Sequence, residues 1–248
     1  QVGHFFIIFK LITNYANIKI NIMQGPSLIF GIAILILSVV IHEVSHGYAA
    51  YMMGDPTAKN AGRLTMNPIK HLDMMGSVIV PLLLVLFRSP FLFGWAKPVP
   101  YNPYNLKNQK WGPGIVAAAG PLSNFLTAGV FGLVSAFVPL AGSLKISVAA
   151  NTIMSFGLQG GDYAVALYSF FVMIVWINVF LGIFNLVPIP PLDGSKVLFS
   201  FLPYRWLNIQ VFLEHYGFFI LVIFILFFSE ILLPIASVFL RFFLGMGL

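Results

Sequence analysis

Two stretches of this chain, 111–144 and 163–192, contain no charged residue, and each is longer than the roughly 20 residues that carry an α-helix across a bilayer. Runs of that kind restrict the chain to membrane architectures, in which every backbone N–H and C=O must be paired internally. A helix meets that requirement within a single segment. Composition agrees, with 59% hydrophobic and only 8% charged residues against about 25% charged in globular domains. Further apolar segments fall at 28–53, 74–93, 209–229 and from 231 onward, separated by Gly and Pro clusters. The expectation is an all-α polytopic membrane protein with about five or six transmembrane helices, its 26 Phe residues largely facing lipid.

The distribution of positive charge sets an orientation. Lys59, Arg63, Lys70, Arg88, Lys97, Lys107, Lys110, Lys196 and Arg205 lie in three connections, whereas the one between the segments at 112–140 and 163–187 holds only Lys145. The positive-inside rule makes the three basic connections cytoplasmic. That requires the 74–93 segment to enter and leave on one side, so a re-entrant or β-hairpin-like segment is expected near residues 74–100. Parity then brings the end of 28–53 and the end of 163–187 to the same membrane face. The net charge of +6 is spread over short loops, with no basic cluster interleaved with aromatics, which argues against nucleic acid as a partner.

The shared face carries the chemistry. His42-Glu43-Val44-Ser45-His46 places two imidazoles one helical turn apart on one face, able to reach a single Zn²⁺, with a carboxylate beside the first to take a proton from metal-bound water. Such residues inside a membrane also serve helix packing or ion pathways. The absence of cysteine leaves only N or O donors for a third ligand. Asp193 ends the run Asn185-Leu186-Val187-Pro188-Ile189-Pro190-Pro191-Leu192-Asp193-Gly194, whose three prolines forbid a continuous helix and aim the carboxylate from an extended chain. On spacing alone Asp193 reads equally as a solvated residue of a cytoplasmic turn. Glu214 and His215 are competing ligands, also readable as a polar turn. His71 and Asp73 read as interfacial, and Asn178, seven residues before Asn185, as an interhelical hydrogen bonder.

These residues resemble the site-2 protease family of intramembrane zinc metalloproteases. The likeness rests on His42 to His46, on the Asn-x-x-Pro-x-Pro-x-Leu-Asp-Gly pattern at Asn185 to Gly194, and on Gly120-Pro121-Leu122-Ser123-Asn124, which is similar to the family's Gly-x-x-x-Asn element. It covers roughly residues 24–200 and looks like the compact prokaryotic type without PDZ or CBS domains. The resemblance implies one Zn²⁺ per chain bound by His42, His46 and Asp193, with Glu43 as the catalytic base that activates a zinc-bound water. It further implies that Asn185 and Asn124 hold the substrate backbone or support the reacting carbonyl. Substrates would be membrane proteins of a single span, cut in or near their transmembrane segments. The setting would be a prokaryotic inner membrane, with the active site near the cytoplasmic face and the lipid bilayer as surroundings.

The expected organisation is a non-core N-terminal extension at 1–22, a metalloprotease core at 23–208 and C-terminal transmembrane segments at 209–248. The 74–100 region is expected to hold an unwound substrate by strand addition. Two other readings use the same residues differently. One is a zinc peptidase whose third ligand is Glu214 or Glu230, acting on lipidated tails, and the other is a transporter with His42, Glu43 and His46 on its ion path.

Overall fold

The structure, a computed structural model, describes residues 5–6, 25–87, 94–155 and 157–246. Most of the expected 1–22 extension and residues 88–93 lie outside that set. Among the described residues four helices are long and apolar enough to cross a membrane: Ile29–Met52, Gly112–Ala136, Tyr163–Asn185 and Leu207–Phe227. The protein is an integral membrane protein of all-α type. Shorter apolar helices at Met74–Leu84 and Leu232–Leu244 complete the apolar segments.

The first long helix, α1 (Gly25–Met52), runs through apolar sequence with its proline at the second position, where the missing N–H is not needed. It stops where Gly54 adopts a left-handed φ of 103°. Asp55 then fastens the exit. Its Oδ1 accepts hydrogen bonds from the Thr57 amide and hydroxyl and from Asn105 Nδ2, while its Oδ2 accepts from the Asn102 amide. A short helix, α2 (Thr57–Asn60), follows this turn.

The described residues on either side of the 74–93 segment lie close together. A turn of π-helix at Met74–Ile79, with Asp73 accepting from the Gly76 amide at its start, leads into α3 (Val80–Leu86). Thirteen helical residues span roughly 20 Å, short of the roughly 30 Å hydrocarbon layer. When the chain resumes, the carbonyl of Trp95 accepts from Ser77 Oγ and the amide of Lys97 donates to the carbonyl of His71. The residues flanking the segment are therefore adjacent, the geometry that a re-entrant segment requires. A two-residue strand β1 (Phe5–Phe6) pairs antiparallel with β2 (Gly94–Trp95) at this point.

The centre of the molecule is a bundle of three long helices. α4 (Gly112–Ala136) packs against α1, against α6 (Tyr163–Asn185) and against α7 (Asp193–Phe201), and α6 is further covered by α5 (Gly142–Ser155) and α9 (Leu232–Leu244). α6 is buried on nearly every side, with Val172, Val175 and Val179 fully enclosed. By contrast α8 (Leu207–Phe227) turns almost its whole surface outward, Phe219 and Phe227 included. That is the distribution expected when lipid, rather than protein, solvates apolar side chains.

Candidate active site

Three chain segments meet at one buried point. His42 and His46 project from the second half of α1, with ring centroids 4.6 Å apart and planes near perpendicular. Asp193 opens α7, directly after the proline-rich bend that ends α6. His42 Nε2 and His46 Nε2 lie 3.0 Å apart, and 3.1 and 3.2 Å respectively from Asp193 Oδ2. All three side chains are withdrawn from solvent.

The partners of the ring nitrogens on the far sides show where each neutral imidazole carries its proton. His46 Nδ1 lies 2.7 Å from the carbonyl oxygen of Val116, a group that only accepts, so Nδ1 carries the proton. His42 Nδ1 lies 2.7 Å from Asn124 Oδ1 and donates to it in the same way. In the neutral imidazoles both Nε2 atoms then bear a lone pair turned toward a carboxylate oxygen, so that three electron-pair donors converge on one point. A cation answers that arrangement. Ligands about 2.0–2.1 Å from a tetrahedral zinc stand about 3.3 Å from one another, close to the spacings found here. No other group of three or more His, Asp or Glu side chains among the described residues could hold a metal ion.

Local sequence accounts for the close fit. Gly120 lets α4 lie directly on the imidazoles, because a Cβ there would overlap both His46 and His42. Pro121 lacks the N–H that would bond the carbonyl of residue 117, one residue beyond the Val116 carbonyl that accepts from His46. Gly194 packs against the carbonyls of Leu186 and Val187, where any side chain would collide with backbone, so the bend can fold back tightly enough to deliver Asp193. The carboxylate also sits in the first turn of α7, where the helix dipole favours negative charge.

Glu43 is fully buried beside the two histidines, and its Oε2 accepts a hydrogen bond of 3.0 Å from the Val99 amide. No partner is found for its Oε1 among the described residues. The 97–99 segment is held over this carboxylate by Arg63, whose Nη2 donates to the carbonyls of Lys97 and Pro98 at 2.7 and 3.3 Å. Beneath it remains a cavity of about 10 Å³ touching His46, Asp193, Tyr101 and Lys196, room for about one water molecule.

Asn185 is buried at the end of α6, with Nδ2 donating to Leu181 O and no partner for Oδ1 among the described residues. Asn124 lies behind His42, away from the carboxylate, and its amide hydrogens go to Asn178 Oδ1 and the Ser38 carbonyl. Its polar atoms are thus engaged inside the protein. Asn178 bonds between helices. Glu214 accepts from Gln210 and His215 lies edge-on to Tyr216, both away from the three-donor cluster. His71 Nε2 lies 2.9 Å from the Thr65 carbonyl. Ser38, Arg63 and the Val116 carbonyl escaped the sequence reading; only Ser38, one turn before His42 on the same face, left a usable signal.

Comparison with known proteins bears directly on this geometry. A model of peptidase family M50 matches residues 30–228. The chain belongs to peptidase family M50. It is 36% identical over 192 residues to a Bacillus subtilis protein named "Putative zinc metalloprotease YwhC", covering 76% of each chain. It is 26% identical over 164 residues to "Putative zinc metalloprotease Rip2" of Mycolicibacterium smegmatis, covering 66% of this chain and 53% of that protein. No solved structure gives a significant match. M50 membership makes the protein a zinc metallopeptidase of the site-2 protease type, and the buried His-His-Asp group suits the metal of that family.

Proposed function

We propose that this M50 peptidase hydrolyses peptide bonds in or near the transmembrane segments of membrane proteins. His42 Nε2, His46 Nε2 and Asp193 would hold the zinc and Glu43 would act as general base. The observation that carries the proposal is the convergence of those three donors, 3.0–3.2 Å apart, two of them from a helix long enough to span a bilayer and the third from the bend that follows another such helix. When bound, zinc supplies Lewis acidity toward water and toward the scissile carbonyl. The protein's own groups do the rest. Glu43, buried next to the imidazoles, takes the proton from the attacking water and returns it to the leaving amine. Asp193 contributes negative charge and a fixed direction. Asn185 offers a buried acceptor, Oδ1, suited to a backbone N–H of an extended substrate.

A helical substrate hides its carbonyls in hydrogen bonds and must be unwound before attack. The re-entrant region suits that task, because the β1 and β2 pairing indicates that the chain at Gly94 and Trp95 accepts a strand partner. Val99 donates to Glu43 Oε2, so the 97–99 segment lies directly beside the base. The basic connections support a site toward the cytoplasmic side, and the likeness to the compact prokaryotic type supports a prokaryotic inner membrane as its setting.

The test measures zinc content and cleavage of a single-span reporter together. Glu43→Gln is expected to keep the metal and lose cleavage by about 10²–10⁴-fold, the usual scale for a general base. Asp193→Asn is expected to lose both, and Glu214→Gln neither. A Glu43→Gln protein that still cleaves, or an Asp193→Asn protein with full zinc, would overturn the assignment. Crosslinks from positions 74–100 to a trapped reporter test strand addition, and a trapped complex with no contact there would refute it.

A further inference from the structure

Ser38, Asn124 and Asn178 form a chain of hydrogen bonds sealed inside the membrane part of the molecule, at 3%, 0% and 0% exposure. Read as helix glue, this is a poor use of three polar side chains, because unfolded helices in a membrane also find partners for such groups. The direction of the bonds suggests a different purpose. Ser38 Oγ donates to the Ile34 carbonyl at 2.8 Å. Asn178 Nδ2 spends one hydrogen on the Ile174 carbonyl and the other on Ser38 Oγ, each at 2.9 Å. Both end-points are backbone carbonyls, which accept and never donate.

That fixes everything downstream. The nitrogen of Asn178 is committed, so its oxygen faces Asn124, whose Nδ2 must donate to it at 3.0 Å and also points to the Ser38 carbonyl at 3.4 Å. Asn124 Oδ1 is then turned to His42 Nδ1, 2.7 Å away. Reversing either amide would set oxygen against oxygen at a carbonyl.

We propose that Ser38 and Asn178 are positioning residues of the metal centre. They lock the Asn124 amide with its oxygen toward His42, which keeps the proton on Nδ1 and the Nε2 lone pair available to the metal. This rests on the zinc ligation proposed above. His46 needs no such device, because a backbone carbonyl cannot turn round. His42 depends on an amide that could, and two further residues hold it still.

The experiment measures zinc affinity by chelator competition, and thermal stability, on the full-length zinc-loaded protein in detergent. Asn178→Leu is expected to weaken zinc binding roughly tenfold, the lower end of the range for partners behind a ligand. Ser38→Ala deletes one hydroxyl and is expected to weaken it about threefold, so a folded variant remains if Asn178→Leu fails. Phe125→Leu is the control. Its ring fills the space against Gly182 on the same α4 and α6 interface, so it should lower the thermal midpoint and leave zinc affinity within about twofold. Zinc affinity unchanged in both network variants, or weakened as much in Phe125→Leu, would reduce the chain to interhelical packing and overturn the inference. A wild-type protein without stoichiometric zinc would instead overturn the ligation reading on which it stands.

Discussion

Single residues in this protein act through close approach. Gly120 is the sharpest case: any side chain would enter the space of both imidazoles, and neither ring can retreat, since each is anchored at Nδ1. Gly120→Ala is therefore expected to reduce zinc affinity by roughly 10–100-fold, as displaced ligand orientation does elsewhere, with secondary structure retained. Equilibrium dialysis against a zinc buffer, with circular dichroism on the same sample, checks both parts. A second residue-scale prediction concerns Asp55 at the exit of α1. Burial pushes its carboxyl up, but hydrogen bonds from the Thr57 hydroxyl, Asn105 and the amides of Asn102 and Thr57 outweigh that and hold it below the ordinary carboxylate range. The folded pKa thus lies below the unfolded value of about 3.9. The stabilisation it brings is complete above about pH 4 and drains away as pH falls through the lower, folded value. Thermal midpoints measured from pH 7 downward should show this acid limb in the wild type. Asp55→Asn should start lower and show a shallower limb.

At the scale of elements, the 97–99 segment is a strap between a buried guanidinium and a buried carboxylate. Arg63→Ala leaves the Lys97 and Pro98 carbonyls without their donor, at a cost of about 1–3 kcal/mol for a buried unsatisfied group. The Val99 amide should then exchange with solvent about 10–100-fold faster, since 1.4 kcal/mol is a tenfold change. Hydrogen exchange read by mass spectrometry on peptides covering 94–101 tests it, and an unchanged rate would mean that the strap is held by other contacts. Elements differed in how legible they were. The long spans could be read because lipid demands uninterrupted apolar helices; helical spacing on α1 and the parity of crossings brought His42, His46 and Asp193 to one membrane face, while their meeting at one point was implied only by the family resemblance. α5 could not, because Ser143, Lys145, Ser147 and Asn151 make it polar enough to pass for a loop. α7 was hidden behind three prolines that signal only the end of α6. Asn124, expected to meet substrate, lies behind His42, because spacing along α4 places a residue on a face without saying what stands opposite. Ser38 lies one turn before His42 on the same face, which is a local signal, but the network that joins residues 38, 124 and 178 runs between distant segments and leaves none.

For the whole molecule, the arrangement of helices makes a prediction about sidedness. α4 runs about 37 Å at 1.5 Å per residue, enough to cross the hydrocarbon layer. The residues it contributes to the site, Val116 and Asn124, lie roughly 6 and 18 Å from its start at Gly112. Lys110 precedes that start, while Lys145 donates to the carbonyl of Ala136 at the opposite end. The metal site is therefore nearer the end marked by Lys110, and Lys145 marks the other membrane face. Because the chain has no cysteine, single cysteines introduced at Lys59, Lys107, Lys196 and Lys145 can be labelled one at a time with a membrane-impermeant maleimide in intact cells and in inverted vesicles. Positions 59, 107 and 196 should react only in inverted vesicles, and position 145 only in intact cells. Reaction of 107 and 145 from the same side would mean that α4 does not cross, and the depth assigned to the zinc site would fall with it. Reaction of all four with the sides exchanged would keep the fold and move the site to the outer face, so that substrates would be cut from outside the cell.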